Sequence, residues 1–236
     1  MDSIEQLIVD AMIERPQAFE VNGRLHYIHP ITYGKSHMIS CLVRQLDTDA
    51  SVLAQNASME ALRLASTKRS VVATIVAYSA CSSKEELFDA EHVAKLVKEF
   101  EGLCVEDLAT LLCLCLGTEH TDELIKHFGI DAEMRWMRRA EALKNDDDNT
   151  EHFCGKSQWG GIIDWACERY GWTMDYVLWG ISLTNLQMLM SDYVKTMYLT
   201  EEEHKHLHRP KKDDVVVDAN KMSIEEFAKH RKEFGL

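Results

Sequence analysis

Residues 18–28, AFEVNGRLHYI, hold two alternating runs on either side of Asn22-Gly23. Both turn residues tolerate positive φ, so the pair favours a type I′ turn and predicts a β-hairpin. Pro30 ends the second run. Elsewhere the apolar residues recur with the helical period. Three prolines and eleven glycines in 236 residues also favour helices over loops or sandwiches. The predicted fold class is mainly α: a multi-helix bundle, or a stack of helical hairpins, with one N-terminal β-hairpin.

Ser3 is placed to open a first helix with the stripe Ile4, Leu7, Ile8, Ala11 and Met12, which Pro16 stops. A second helix is predicted from Thr32 to Leu46, carrying Met38, Ile39, Leu42 and Val43 inward. Residues 51–81 carry a helical pattern, and the run LASTKRSVVATIVAYSA is apolar enough to be central. Shorter helices are predicted at 89–102, 105–117, 120–128 and 131–144. Asp89, Thr118 and Asp131 stand near their starts, and Gly102, Gly117 and Gly129 near their ends. Residues 145–152, NDDDNTEH, read as an exposed acidic linker. These signals divide the chain into a hairpin-plus-helical domain (1–145), a tryptophan-rich helical module (153–200) and a polar tail (201–236). The tail ends in an amphipathic helix predicted over Ser223–Phe234.

Lys and Arg number 26 against 39 Asp and Glu, a net charge of −13. That field repels phosphate backbones and anionic membrane surfaces, so neither nucleic acid nor membrane is an expected partner. No apolar stretch reaches the ~18 residues of a membrane helix, and MDSIEQLIVDAMIERP lacks the basic start of a secretory signal. Seven cysteines, an odd number, lie mostly in apolar helical runs, where a free thiol acts as a small hydrophobe. A reducing cytoplasm is the expected compartment.

Motifs of chemistry are weak. Gly34-Lys35-Ser36 resembles the end of a phosphate-binding loop, yet position 29 is His where that loop needs Gly, and a hairpin precedes it. His204, His206 and His208 alternate in a polar stretch and read as a solvated linker, with no zinc-site spacing nearby. Cys113 and Cys115, two apart on a helix, face apart and read as core thiols. No metal, cofactor or catalytic residue is expected.

The segment after the acidic linker differs. It holds Trp159, Trp165, Trp172 and Trp179 within about one tenth of the chain. Ile162, Ile163, Trp165, Ala166 and Tyr170 fit one helical face; Gly171 breaks it, Thr173 is placed to cap a short helix, and Ser182 or Thr184 starts a longer one. The indoles either close a small helical core or present contact area to a partner. For the second case the candidate binding residues are Trp159, Trp165, Trp172, Tyr176, Trp179, Met188 and Met190.

Three features together resemble the tail assembly chaperones of long-tailed bacteriophages, particularly those of Bacteroides-type phages and prophages. They are the hairpin and following helix, FEVNGRLHYIHPITYGKSHMI; the run of middling helices; and the aromatic segment GIIDWACERYGWTMDYVLWGISLTNLQMLMSDY. The resemblance spans most of residues 17–200 and leaves the tail after about residue 205 without a counterpart. It implies a non-enzymatic protein of the host cytoplasm that binds the hydrophobic tape-measure protein and gives way to tail tube subunits. Self-association is compatible with it. In many such phages a ribosomal frameshift gives a long and a short form. The alternatives are a virion component, such as a tail or head–tail connector subunit, and a small cytoplasmic enzyme or ligand-binding protein.

Overall fold

The computed structural model describes residues 3–117, 121–145 and 157–207. In chain order the elements are α1 (Ser3–Met12), β1 (Gln17–Val21), β2 (Arg24–Ile28), α2 (Tyr33–Val43), α3 (Ala50–Gln55), α4 (Ala57–Thr67), α5 (Arg69–Ala80), α6 (Lys84–Phe88), α7 (Ala90–Glu101), α8 (Val105–Leu116), α9 (Thr121–His127), α10 (Ile130–Asn145), α11 (Gln158–Tyr170), α12 (Met174–Trp179), α13 (Leu183–Ser191) and α14 (Glu201–Leu207). The protein is mainly α with one antiparallel hairpin, as its sequence predicts. Two compact units emerge: residues 1–131 with 152–194, and residues 132–151 with 195–236. The tryptophan-rich segment, up to Val194, therefore shares a unit with the hairpin. Most of the 145–152 linker, Thr118, His208 and the predicted helix at 223–234 lie outside the described residues.

The hairpin forms as its turn chemistry requires, with Asn22 at φ 51° and Gly23 at φ 75°. Gln17 pairs with Ile28 and Val21 with Arg24. Alternation then turns Phe19, Val21, His26 and Ile28 inward and leaves Leu25 and Tyr27 on the outer face. The ring of His26 stacks on Phe19 at 5.4 Å and meets the edge of Phe100 at 5.3 Å.

α5 is the axis of the first unit. Val72, Ala73, Ile75, Val76 and Ala77 are all fully buried, because α2, α7, α8 and β2 surround the helix. Burying each Val or Ile side chain contributes ~1.5–3 kcal/mol before conformational entropy is counted. The helical stretch at 51–81 is broken twice. Asn56 adopts an extended conformation, ends α3 and caps α4 by accepting from the amides of Ser58 and Met59 (3.0 and 3.2 Å). Lys68 makes the second break, and the next residue, Arg69, donates to the carbonyls of Glu101 and Leu103, both at 2.7 Å. That clamps the start of α5 to the α7–α8 connection. α6, absent from the sequence expectation, is opened by the Ser83 hydroxyl accepting from the Glu86 amide. Two smaller differences concern α1 and α2. Met12 belongs to the expected stripe but is largely exposed, and α2 ends at Val43, short of Leu46.

In the second unit, the expected histidine linker is instead the short helix α14. Thr200 and Glu203 form a reciprocal capping box, the Glu203 carboxylate taking the Thr200 amide (2.6 Å) and the Thr200 hydroxyl the Glu203 amide (3.2 Å). His204 and His206, two apart on that helix, splay apart. Lys195 pairs with Glu141, and Arg139 lies 5.7 Å from the Trp136 ring.

Candidate partner-binding surface

Capping chemistry places α11, α12 and α13. Ser157 accepts from the Gly160 amide (3.1 Å), and α11 ends in the left-handed Gly171 (φ 66°), whose amide reaches the Cys167 carbonyl. Thr173 caps α12 through the Tyr176 amide, and Ser182 caps α13 through the Asn185 amide, both at 3.2 Å. A distant residue completes the α13 cap. Glu14, held at φ 53°, accepts from the Ser182 amide (2.7 Å) and from Asn185 Nδ2 (3.0 Å). Beside it, the Leu183 amide donates to the Ile31 carbonyl at 2.6 Å. The three helices close on Tyr33, Ile163, Ala166, Val177, Ile181 and Leu186, the buried residues of a second, smaller core.

Over that core runs a line of five aromatic rings. Tyr193 meets Trp165 edge-on at 6.0 Å, Trp165 meets Tyr170 at 5.4 Å, Tyr170 stacks on Trp172 at 4.6 Å, and Trp172 meets Tyr176 at 5.1 Å. Four of them are half-buried, while Tyr176 is 43% exposed. The Tyr176 ring lies so close to Gly180 that a Cβ there would sit 2.3 Å from Cδ2. Met174 and Leu189 are exposed on the same helices.

The candidates chosen from sequence thus fall into different places. Trp165, Trp172 and Tyr176 come together in the ring line. Trp159 is 54% exposed at the start of α11. Met188 and Met190 are half-buried on α13, and Met190 packs against the small core. Trp179 is turned the other way: its indole covers Gly34 of α2, packs edge-on against Phe88 at 5.6 Å, and lies under the Lys84 ammonium at 6.0 Å. It is a peg that seats α12 on the main core. Sequence reasoning left out Tyr193 and Arg169. The spacing of Trp165 and Arg169, four apart on one helical face, was a usable signal for the arginine; Tyr193 joins only through the packing of α13.

Gly34-Lys35-Ser36 is spent on structure. Gly34 makes room for the Trp179 indole, since a Cβ would lie 2.8 Å from the ring. Lys35 is 4% exposed, and its Nζ donates at 2.7 Å to the carbonyl of Cys81, the residue that ends α5. An ammonium suits the negative end of that helix, but burial still lowers its pKa to about 8. Ser36 returns its hydroxyl to the Tyr33 carbonyl. Cys115 is fully buried and Cys113 half-buried, and burial pushes the Cys115 thiol up to about 12.

Among the recesses elsewhere in the first unit, two border titratable side chains near the hairpin. One, of about 140 Å³, is lined by α1, the end of β2 and the start of α13, with the Asp10–Arg15 ion pair (3.1 Å) among its lining residues. The other, of about 210 Å³, is lined by His26, Tyr27, His29, Ser82, Glu86 and His92. Glu86 is kept below the usual carboxylate range by the amide and hydroxyl of Ser82. His29 is lowered by burial and then by the nearby Lys35. Among the described residues no three His, Cys, Asp or Glu side chains are placed to hold a metal ion. Nor is any helix among them long and apolar enough to cross a membrane.

No protein-family model matches the chain, and comparison with curated proteins and with solved structures finds no match.

Proposed function

We propose that the chain is a non-enzymatic binding protein whose α11–α13 surface holds an apolar segment of a partner, and that it serves as a tail assembly chaperone for the tape-measure protein of a long-tailed phage. The ring line from Tyr193 to Tyr176 carries this reading. Tyr and Trp offer large contact area with few rotatable bonds, and they anchor interfaces for that reason. Here they are already ordered by one another, so little side-chain entropy remains to be lost on binding. Their outer faces remain partly open to solvent. The net charge of −13 supports solubility while such a partner is carried. The sequence resemblance over residues 17–200 supplies the class of partner, with tail tube subunits as the later competitors. On this reading the work is done in the host cytoplasm.

Co-expression with the neighbouring large open reading frame tests the proposal. The tape-measure protein becomes soluble and co-purifies only in the presence of this chain. Trp172→Ala weakens that capture by ~2 kcal/mol or more, about 30-fold in Kd. Lost folding stability with unchanged capture would make Trp172 structural only. Detection of the chain in purified particles by mass spectrometry, with no capture, would assign it to the virion and remove the chaperone reading.

A further inference from the structure

We infer that Arg169 is the polar anchor of the α11–α13 surface and reads a single carboxylate on an otherwise apolar partner segment; this rests on the docking surface proposed above. Arg169 is exposed, with its guanidinium carbon 5.8 Å from the Trp165 ring, 5.8 Å from the Tyr170 ring and 5.2 Å from the Tyr193 ring. Each distance is within cation–π reach. Several cations of the first unit are paired within the chain, Arg63 with Glu60, Lys84 with Asp175 and Lys68 with Asp47; what sets Arg169 apart is the three rings around it. Arg169 makes no ion pair with any described residue.

An arginine held against aromatic faces is pre-organised. Its five N–H donors keep their planar fork, and the rings take up the rotamer entropy that a bidentate bond would otherwise cost. Because the donor is charged, a bond to a carboxylate is stronger than one between neutral groups. A carboxylate matches the fork, and Met174, Tyr176 and Leu189 offer apolar contact on the same three helices.

Surrounding charge narrows the partner further. Asp164, Glu168 and Asp192 are exposed on the same elements. They repel a generally acidic segment, as does the whole chain. The fitting occupant is therefore apolar, with neutral or basic flanks and one acidic side chain in register with Arg169. Charge complementarity sets the register, and the rings supply the affinity.

The test uses the full chain and three labelled amphipathic peptides of ~15 residues, about the length at which isolated helices become marginally stable. They share one Leu/Met/Phe pattern and differ only in a central Glu, Gln or Lys. By fluorescence anisotropy at low salt, the Glu peptide binds about tenfold tighter than the Gln peptide, and the Lys peptide is weakest. Raising salt to about 0.5 M shrinks that gap. Arg169→Glu makes the Lys peptide the best ligand, while Arg169→Met keeps apolar binding and loses the preference; thermal melts verify that both variants fold. Equal binding of the Glu and Gln peptides would overturn the inference, leave the docking surface standing and make Arg169 a brace between helices. Failure of all three peptides to bind would overturn the docking surface and the inference with it. A dimer that dissociates in Arg169→Glu by light scattering would give the surface to a second copy and also overturn the inference.

Discussion

The main core around α5 and the small core under α11–α13 belong to the same unit and are built from different materials. Around α5 the buried set is mostly Val, Ala, Ile and Leu, with Phe100, Cys81 and Cys115 among them, and five apolar residues of that helix are fully buried. Under α11–α13 the small core has six buried residues, and the rest of its packing comes from half-buried Trp165, Trp172, Ile162, Leu178, Leu183, Cys167 and Met190. Aliphatic side chains sealed on all sides stabilise a fold and offer nothing outward. Aromatic side chains packed on one face stabilise less per ring, yet keep a second face available. The contrast separates a region that holds the chain together from one able to exchange protein contacts for partner contacts.

The largest effect expected is in the main core. Phe100 is fully buried and carries the hairpin through Phe19 and His26. Phe100→Ala lowers the unfolding free energy by ~3–5 kcal/mol in urea titrations followed by circular dichroism. A loss below ~1 kcal/mol would mean that the hairpin is not seated on α7 as described.

Next comes the peg between the two cores. Gly34→Ala places a methyl group in the Trp179 indole and costs ~1–3 kcal/mol. In a Trp179→Ala background the same substitution is nearly free, so a double-mutant cycle reads the contact directly. Additive effects would show that α12 does not rest on α2.

The smallest effect is a pH dependence centred on the main core. Burial lowers Lys35 from 10.5 to about 8, so between those values the unfolded chain binds more protons and stability rises with pH. Burial raises Cys81 from 9.0 to about 11 and Cys115 from 9.0 to about 12, which reverses the sign above pH 9. Each group contributes a slope of at most ~1.4 kcal/mol per pH unit. Denaturation of the reduced protein therefore shows stability climbing from about pH 8 to 9 and falling beyond it. In Lys35→Met the climb disappears. An unchanged profile in that variant would place the amine in water.

Local chemistry was readable from sequence wherever a residue acts on its own neighbours. Asn22-Gly23 forms the turn, Asp89, Thr173 and Ser182 cap their helices, and Gly102 and Gly117 end theirs. The same chemistry at Asn56, Ser83 and Thr200 was passed over, because apolar or charged runs on either side masked a single capping residue. What sequence could not show was orientation across the fold. Trp172 and Trp179 are seven residues apart and look alike in composition. One lies along the ring line, flanked by Tyr170 and Tyr176, and the other faces the main core, where Gly34 lacks the Cβ that would block its indole. Arg169 gained its meaning in the same way, from Tyr193 arriving just past the end of α13.

The carboxylate of Glu14 implies an order of events during synthesis. Its hydrogen-bonding partner lies 168 residues further along the chain. At a translation rate of ~5–20 residues per second, the Glu14 carboxylate waits on the order of ten to thirty seconds before the Ser182 amide exists to donate to it. Until then the hairpin and the α5 core can assemble alone, and the aromatic helices are the last part of the unit to close. A nascent chain of this protein therefore matures from its sealed region toward its open one.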